Sequence, residues 1–362
     1  MPGLVNTPLF SLTWQGQLSD YITAMDWSSD GRWLALASGA GDVQLLNVAE
    51  KQTLAFEPPS GQSIDCLQFS PDSQFLAAGG QRGQVKIWRL SDTLGAFPQL
   101  WLSLDHPRIW VEHLAWCPTR LELAFSLGRY VQVWDIVNQT LNTTLAFESS
   151  SVLGLVWRPS GDSLVVGGHQ GVKLWSAQDW DEEPVVRELS AASVTLSISA
   201  DGQYLASGNL DNTLLVWRWE SPYPWMMRGF PGKVRHLAWS TTMLRAAPLI
   251  ASASGASLVT WRKQTDDEDG WDSKGFNRHQ GKIVALAFQP GKSLLASAAE
   301  DGQLMLWQKA KRVGQILQGV SQGFSNLAWH PRGHLLAAGG QQGEWRIWEQ
   351  SIRGQGFQKV ME

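Results

Sequence analysis

One order of residues recurs eight times along the chain: a branched residue, an Ala or Gly pair, then alternating apolar residues closed by a tryptophan or its stand-in. The closing positions are Leu46, Trp88, Trp134, Trp175, Trp217, Trp261, Trp307 and Trp348, spaced 41 to 46 residues apart. A self-similar period in this range marks a stacked array of supersecondary units, none able to bury its apolar faces alone. Such units share neighbours throughout, so residues 1–362 are expected to form a single domain, although length alone suggests more.

Residues 64 to 88 show what one unit is. Ile64, Leu67 and Phe69 lead into Ser70-Pro71-Asp72-Ser73, followed by Phe75 to Ala78, Gly79-Gly80 and the run Val85, Ile87, Trp88. This reads as three short strands. Pro presets φ and Asp bonds its own backbone in the first turn, and the glycines are expected to allow positive φ between the second and third strands. The segment after Trp88 supplies a fourth strand, as Gly314 to Gln318 does after Trp307. A four-stranded sheet that is apolar on both faces is stable only when each face meets another sheet, and radial repetition provides that contact. Trp27, Phe69, Trp116, Trp157, Ile198, Trp239, Phe288 and Trp329 end the first strands and are expected in the core between units.

These residues give the chain a resemblance to the WD-repeat (tryptophan-aspartate repeat) β-propeller family over about residues 9 to 348. The resemblance implies an all-β fold, a single eight-bladed propeller of four-stranded antiparallel blades, with seven blades as the alternative. It also implies a hydrogen-bonded set of histidine, serine, aspartate and the closing tryptophan in each blade. Only the seventh blade carries the full set, at His279, Ser297, Asp301 and Trp307. The fifth has Ser207, Asp211 and Trp217 without the histidine, and the aspartate slot holds Arg82, Gln170 and Gln342 in the second, fourth and eighth. The Trp-Asp pair itself survives once, at Trp134-Asp135, and the first blade, ending at Leu46, is the weakest match. Blade stability is therefore expected to depend more on apolar packing than on that set. Ring closure requires one terminus to complete the other's blade: residues 1–15, through the alternating stretch Leu9 to Trp14, are expected to pair with the strand ending at Trp348. Residues 349–362 form a tail or an outer strand, with Phe357 to Met361 competing for the same edge.

Composition narrows the function classes. A net charge of −4 without a basic cluster argues against a nucleic-acid partner. Met1 to Leu12 lacks the basic and apolar regions of a signal peptide, and no stretch approaches the ~18 apolar residues of a membrane span, so no membrane insertion is expected. Cys66 and Cys117 lie in apolar strand patterns of different repeats, which suggests buried thiols in a reducing, cytoplasmic setting. No glycine-rich phosphate loop or nucleophile elbow occurs. His113 and His236 hold equivalent strand positions in distant blades, His330 and His334 flank a hairpin turn and not a helix face, and His106 and His169 lie near rim loops without a repeated carboxylate partner. No catalytic, cofactor or metal site is expected, and the four acids Asp266 to Asp269 do not match a calcium loop. The leading reading is a noncatalytic scaffold or adaptor for protein–protein interaction; an enzyme or metal-dependent factor using the channel or a rim is the alternative.

Of 21 tryptophans the repeat explains twelve. Among the rest, Trp180, Trp219, Trp225 and Trp271 fall between third and fourth strands of blades four to six, beside Tyr223 and the acids Asp267, Glu268 and Asp269. Aromatics bracketed by carboxylates suggest a face for a basic partner segment. On the opposite rim the pattern places Arg82, Arg108, Trp110, Arg129, Phe230, Lys233, Lys282 and Phe324, a set suited to an acidic or phosphorylated peptide.

Overall fold

The computed structural model describes residues 8–91, 97–169, 171–244 and 247–351; Gln170 and Phe357 to Met361 lie outside them. Within these residues the strands pair as eight four-stranded antiparallel sheets. Seven sheets use consecutive strands: blades 1 to 7 span 22–57, 64–105, 114–146, 154–188, 193–227, 236–276 and 283–317. Blade 8 combines three strands from 324–350 with the strand Phe10–Gln17, which runs antiparallel to Glu344–Gln350 as its outermost member. The fold is thus an eight-bladed β-propeller, and the seven-blade alternative is excluded.

Burial explains why this sequence needs a ring. The second strands Trp33–Ser38, Phe75–Gly80, Tyr204–Asn209 and Leu335–Gly340 are buried at every residue, so both of their faces are covered. What covers them is the next blade. The core divides into eight hydrophobic clusters, one between each pair of neighbours, including one that joins Leu335, Ala337 and Ile347 of blade 8 to Ile22, Trp27 and Leu36 of blade 1. Alanine and glycine recur here because two neighbouring sheets press on the same strand.

That pressure also corrects one expectation. Gly79 and Gly80 end the second strand of blade 2 and do not form the turn, where positive φ falls on Gly83 at 70°. A Cβ on Gly79 would strike Val111, and one on Gly80 would strike the Ser63 carbonyl, so the pair is required by close approach. The first turn behaves as its chemistry suggests: the Asp72 carboxylate accepts from Ser70 Oγ (2.6 Å) and the Gln74 amide (3.0 Å), and Ser28–Asp30 and Ser199–Asp201 repeat the Ser–Asp bond.

The large residues ending the first strands do more than fill space. Five indole N–H groups donate to a main-chain carbonyl of the preceding blade: Trp27 to Ala328, Trp116 to Gln68, Trp157 to Ala115, Trp239 to Ser197 and Trp329 to Ala287, at 3.0 to 3.3 Å. Blades 2, 5 and 7 have Phe69, Ile198 and Phe288 there and cannot donate. At the blade 1–2 joint a carboxylate substitutes, because Asp26 Oδ2 accepts the Phe69 amide at 2.8 Å.

Burial pushes the Asp26 carboxyl up to about 7, against hydrogen bonds from the Phe69 and Trp27 amides that favour its charged form. The folded protein therefore holds a proton that the unfolded chain has released, and the stabilising contribution of Asp26 is lost as pH rises through about 7. Asp26→Asn keeps an acceptor for Phe69 and removes the charge. It is expected to add about 4 kcal/mol at pH 8 and nothing at about pH 3.5, below both the unfolded and the folded pKa, measured as the difference in thermal midpoint. Equal melting of the two proteins at pH 8 would reject the raised pKa of Asp26.

Candidate interaction surfaces

The polar set of blade 7 is assembled in full. Ser297 Oγ accepts the Trp307 indole N–H at 2.8 Å and bonds His279 Nε2 at 2.7 Å, while His279 Nδ1 meets Asp301 Oδ2 at 3.2 Å. Burial lowers the His279 pKa although Asp301 opposes it, and Asp301 also accepts the Gln280 amide at 2.8 Å. In blade 5, Leu189 holds the histidine position and Ser193, at the start of the first strand, bonds Ser207 at 2.8 Å, while Asp211 turns to Ser190 at 2.9 Å and Thr213 at 2.6 Å. Blade 6 retains only the Trp261–Ser252 bond at 2.9 Å. These groups lie inside single blades and stabilise them; none faces a cleft where a ligand would sit.

The four tryptophans of blades 4 to 6 occupy three successive gaps and do not form one patch. Trp180 stands edge-on to Trp157 with ring centroids 5.9 Å apart, in the cluster between blades 3 and 4. Trp219 lies in the next gap with the Arg158 guanidinium 4.3 Å over its ring. Trp225 and Trp271, 6.2 Å apart, surround Tyr204 with Trp239 between blades 5 and 6. All four are half-buried. Tyr223 remains in the open at 81 % exposure, with Met226 beside it.

The acidic loop is organised by a residue that the sequence pattern did not single out. Lys263 is fully buried; its Nζ donates to the Gln264 and Asp266 carbonyls, lies 3.1 Å from Asp267 Oδ1, and sits 5.1 Å over the Trp225 ring. Arg218 reaches Asp267 from blade 5 at 3.0 Å, and the Trp225 indole donates to the Asp267 carbonyl. The bond to Lys263 and the nearby Arg218 hold the Asp267 carboxyl below the usual carboxylate range, so this charge is already matched from within. Glu268 and Asp269 stay exposed.

On the opposite rim, Phe230 and Phe324 are buried at 8 % and 0 % exposure and are not displayed. Phe230, ahead of the first strand of blade 6, and Phe324, which begins the first strand of blade 8, both turn inward to pack on their blade's closing tryptophan, Trp261 and Trp348. Lys233 and Lys282 are exposed, the latter 3.8 Å from Glu300. Arg82, Arg108 and Arg129 are also exposed, and none forms an ion pair or side-chain hydrogen bond among the described residues. Between them stand Ile109, Trp110 and Tyr130, exposed at 41, 54 and 51 %. The loop bearing Arg108 is fixed to the turn bearing Arg82: His106 N donates to Gly83 O at 2.6 Å, and Val111 N to Gly80 O at 3.1 Å. His106 also packs on Phe125 of blade 3, the blade whose turn carries Arg129 and Tyr130. Arg108 adopts φ of 72°, a left-handed conformation that a non-glycine residue adopts only when its surroundings impose it. Ile109 and Tyr130 carried no repeat-level signal; their turn positions beside arginines were the available clue.

The histidines serve packing. His113 immediately precedes the first strand of its blade and His236 begins one, and burial lowers both, His236 to about 4 with help from Arg235. His330 and His334, expected to diverge, touch with ring centroids 4.2 Å apart, because the tight turn returns both side chains to one side of the hairpin. His330 accepts the Arg332 amide at Nδ1 (3.0 Å), which leaves Nε2 to donate to Gly31 O of blade 1, and burial beside His334 lowers its pKa to about 4. His106 and His334 are also lowered by burial. Cys66 and Cys117 belong to different inter-blade clusters, and burial raises the Cys66 thiol pKa, with Asp65 and Glu112 adding to it.

A family model described as WD domain, G-beta repeat matches residues 7–43, 51–89, 185–218, 272–308 and 312–349. The chain is similar to a periodic tryptophan protein 2 homolog of Caenorhabditis elegans, 25% identical over 219 residues, which is 58% of this chain and 23% of that protein. It is also similar to human WD repeat-containing protein 18, 27% identical over 220 residues covering 54% of this chain and 50% of that one. A third relative is the anaphase-promoting complex subunit cdc20 of Dictyostelium discoideum, 24% identical over 251 residues, 56% of this chain and 50% of that one. The chain spans half or less of the length of these curated relatives.

Proposed function

As the chain belongs to the WD40 repeat family, we propose that it is a noncatalytic protein-interaction scaffold whose docking rim lies on blades 2 and 3. The observation that carries this reading is the set of three unpaired arginines interleaved with exposed Ile109, Trp110 and Tyr130 on turns fixed to a rigid ring. Aromatic anchors and arginine dominate interface energetics, and guanidinium groups without an internal partner suit a carboxylate or phosphate. The partner is an acidic or phosphorylated segment carrying an apolar side chain. A cytoplasmic setting belongs to the same reading, supported by two cysteines held apart in separate clusters.

Replacing Arg82, Arg108, Arg129 and Trp110 together by Ala removes only exposed side chains, so the melting temperature is expected to hold while capture of copurifying proteins falls at least about tenfold. Quantitative copurification with the intact and substituted chains checks this. Undiminished capture by the substituted chain rejects the rim.

A further inference from the structure

Six cations from separate stretches of the chain gather around one turn of blade 7. Arg262 and Lys274 stand on the third and fourth strands of blade 6, Ser257–Lys263 and Trp271–Phe276. Lys292 follows the first strand of blade 7, and Lys309, Lys311 and Arg312 lie at its last hairpin turn, which joins Leu304–Gln308 to Arg312–Leu317. That turn is held from inside. Ala310 is 2 % exposed in the cluster between blades 6 and 7, and its carbonyl accepts from Thr260 Oγ1 at 3.5 Å. Lys309 and Ala310 both adopt left-handed φ, 52° and 49°, a conformation that side chains take only where packing imposes it. The buried alanine anchors the turn, and the lysines on either side of it stay exposed.

The turn stands between two clefts, and Lys309 lines both. The cleft between blades 6 and 7, about 190 Å³, adds Arg262, Lys274 and Lys311. The cleft between blades 7 and 8, about 870 Å³, adds Lys292 and Arg312 beside the apolar Leu9 and Leu294. None of the six cations forms an ion pair among the described residues, in a chain whose net charge is −4. Where they are held, the partner is neutral: Lys292 Nζ donates to Gln350 Oε1 at 3.2 Å, Arg312 Nε to Gln308 Oε1 at 3.1 Å, and Lys274 Nζ lies 5.4 Å over the Phe276 ring. Among the described residues Asp272 is the one carboxylate that lines either cleft, and it accepts from Gln264. Arg262, in the smaller cleft, has its Nε buried without a hydrogen-bond partner, a state that costs free energy until an acceptor arrives.

We propose that the two clefts form one site for a small ligand carrying several phosphate groups. One phosphate sits against Arg262, Lys274, Lys309 and Lys311, and the rest of the molecule passes Lys309 to reach Lys292 and Arg312. A phosphate accepts from several donors at once, so it can satisfy the Arg262 Nε together with ammonium groups, and neutral amides that already orient Lys292 and Arg312 leave their charge for the ligand. The larger cleft has the volume of an ordinary small-molecule site, and its apolar residues suit the body of an organic phosphate. This site lies on blades 6 to 8, apart from the arginine rim of blades 2 and 3, and does not depend on the scaffold reading.

The rim arginines also attract anions, so the test uses two proteins: the full chain, and the full chain with Arg82→Ala, Arg108→Ala, Arg129→Ala and Trp110→Ala. Inorganic tripolyphosphate, titrated calorimetrically at about 0.15 M salt, where exposed charges are screened beyond about 8 Å, is expected to bind both with the same Kd, below about 1 mM. Lys274→Gln, Lys309→Gln and Lys311→Gln together, all at exposed sites that leave melting unchanged, weaken binding at least about tenfold. Arg262→Lys keeps the charge but removes the Nε donor, and is expected to weaken binding at least about threefold. No saturable binding, or equal affinity of the triple Gln variant, or equal affinity of Arg262→Lys overturns the site. Binding that vanishes from the rim variant places the anion on the rim and overturns it as well. A single-stranded oligonucleotide whose affinity exceeds that of tripolyphosphate and grows with its length marks a nucleic-acid groove, which overturns the small ligand.

Discussion

Removal of residues 1–17 lowers the melting temperature by about 10 °C or more. The strand Phe10–Gln17 makes seven residue pairs with Glu344–Gln350, and Phe10, 1 % exposed, packs edge-on against Trp329 at 5.4 Å. Gln315 of blade 7 clamps the Phe10 main chain at both ends, accepting from its N–H at 2.9 Å and donating to its carbonyl at 2.7 Å. Trp14 covers Trp345 at 5.0 Å, an approach that Gly16 permits because any Cβ there would strike the Trp345 ring. Loss of the Phe10 side chain alone costs about 3–5 kcal/mol, and loss of Trp14 with the ladder raises the total to roughly twice that. At about 2 °C per kcal/mol for a chain of this size, the shift is large by calorimetry. It is accompanied by association, because blade 8 is left with an open apolar edge. A truncated chain that melts within about 2 °C of the intact one would show that the closing strand is dispensable. Phe10→Ala, which leaves the ladder in place, separates the packing share from the pairing share.

Ser297→Ala is expected to destabilise the protein by about 4 kcal/mol, about twice the effect of Ser252→Ala. Both serines are 0 % exposed and both accept an indole N–H. Ser297 also bonds His279 Nε2, so its removal leaves an indole donor and an imidazole nitrogen unpaired in the core, at about 1–3 kcal/mol each. Ser252 strands one donor only. The pH dependence carries a second signature. Burial lowers the His279 pKa, so His279 contributes stability that is present above its unfolded value and is lost as pH falls below it. With Ser297 gone, the protein is expected to become less sensitive to acid between pH 6.5 and 5, since the imidazole, left with Asp301 alone, gains more from protonation and its pKa rises towards the unfolded value. Denaturant unfolding of the two variants at pH 7.5 and pH 5.5 checks both statements, and equal losses for Ser297→Ala and Ser252→Ala would show that the His279 bond contributes nothing.

The sequence made the ring legible because its cause is local. Strands such as Leu34 to Ala37 and Leu336 to Ala338 carry apolar or small residues at every position, and that pattern admits only a sheet covered on both faces. It did not show how individual side chains are used. Phe230 and Phe324 were legible as apolar residues near a rim, but only the path of the chain turns them onto Trp261 and Trp348. Trp180, Trp219, Trp225 and Trp271 share a place in the repeat, yet the rotation from blade to blade puts them in three different gaps. Asp267 read as a free acid because one partner, Arg218, lies in another blade and the other, Lys263, read as a strand residue with no tie to the loop.

Fold class and the size of the repeat were therefore determined by the sequence alone, since burial on both faces of each strand is written residue by residue at a spacing the eye can follow. The tertiary structure alone decided which charges are already matched. Whether Arg82, Arg108 and Arg129 are free depends on every carboxylate that could have reached them. Those are distances between residues remote in the chain. Hydrogen bonds and ion pairs act over a few ångströms in space, and no regularity along a sequence encodes them.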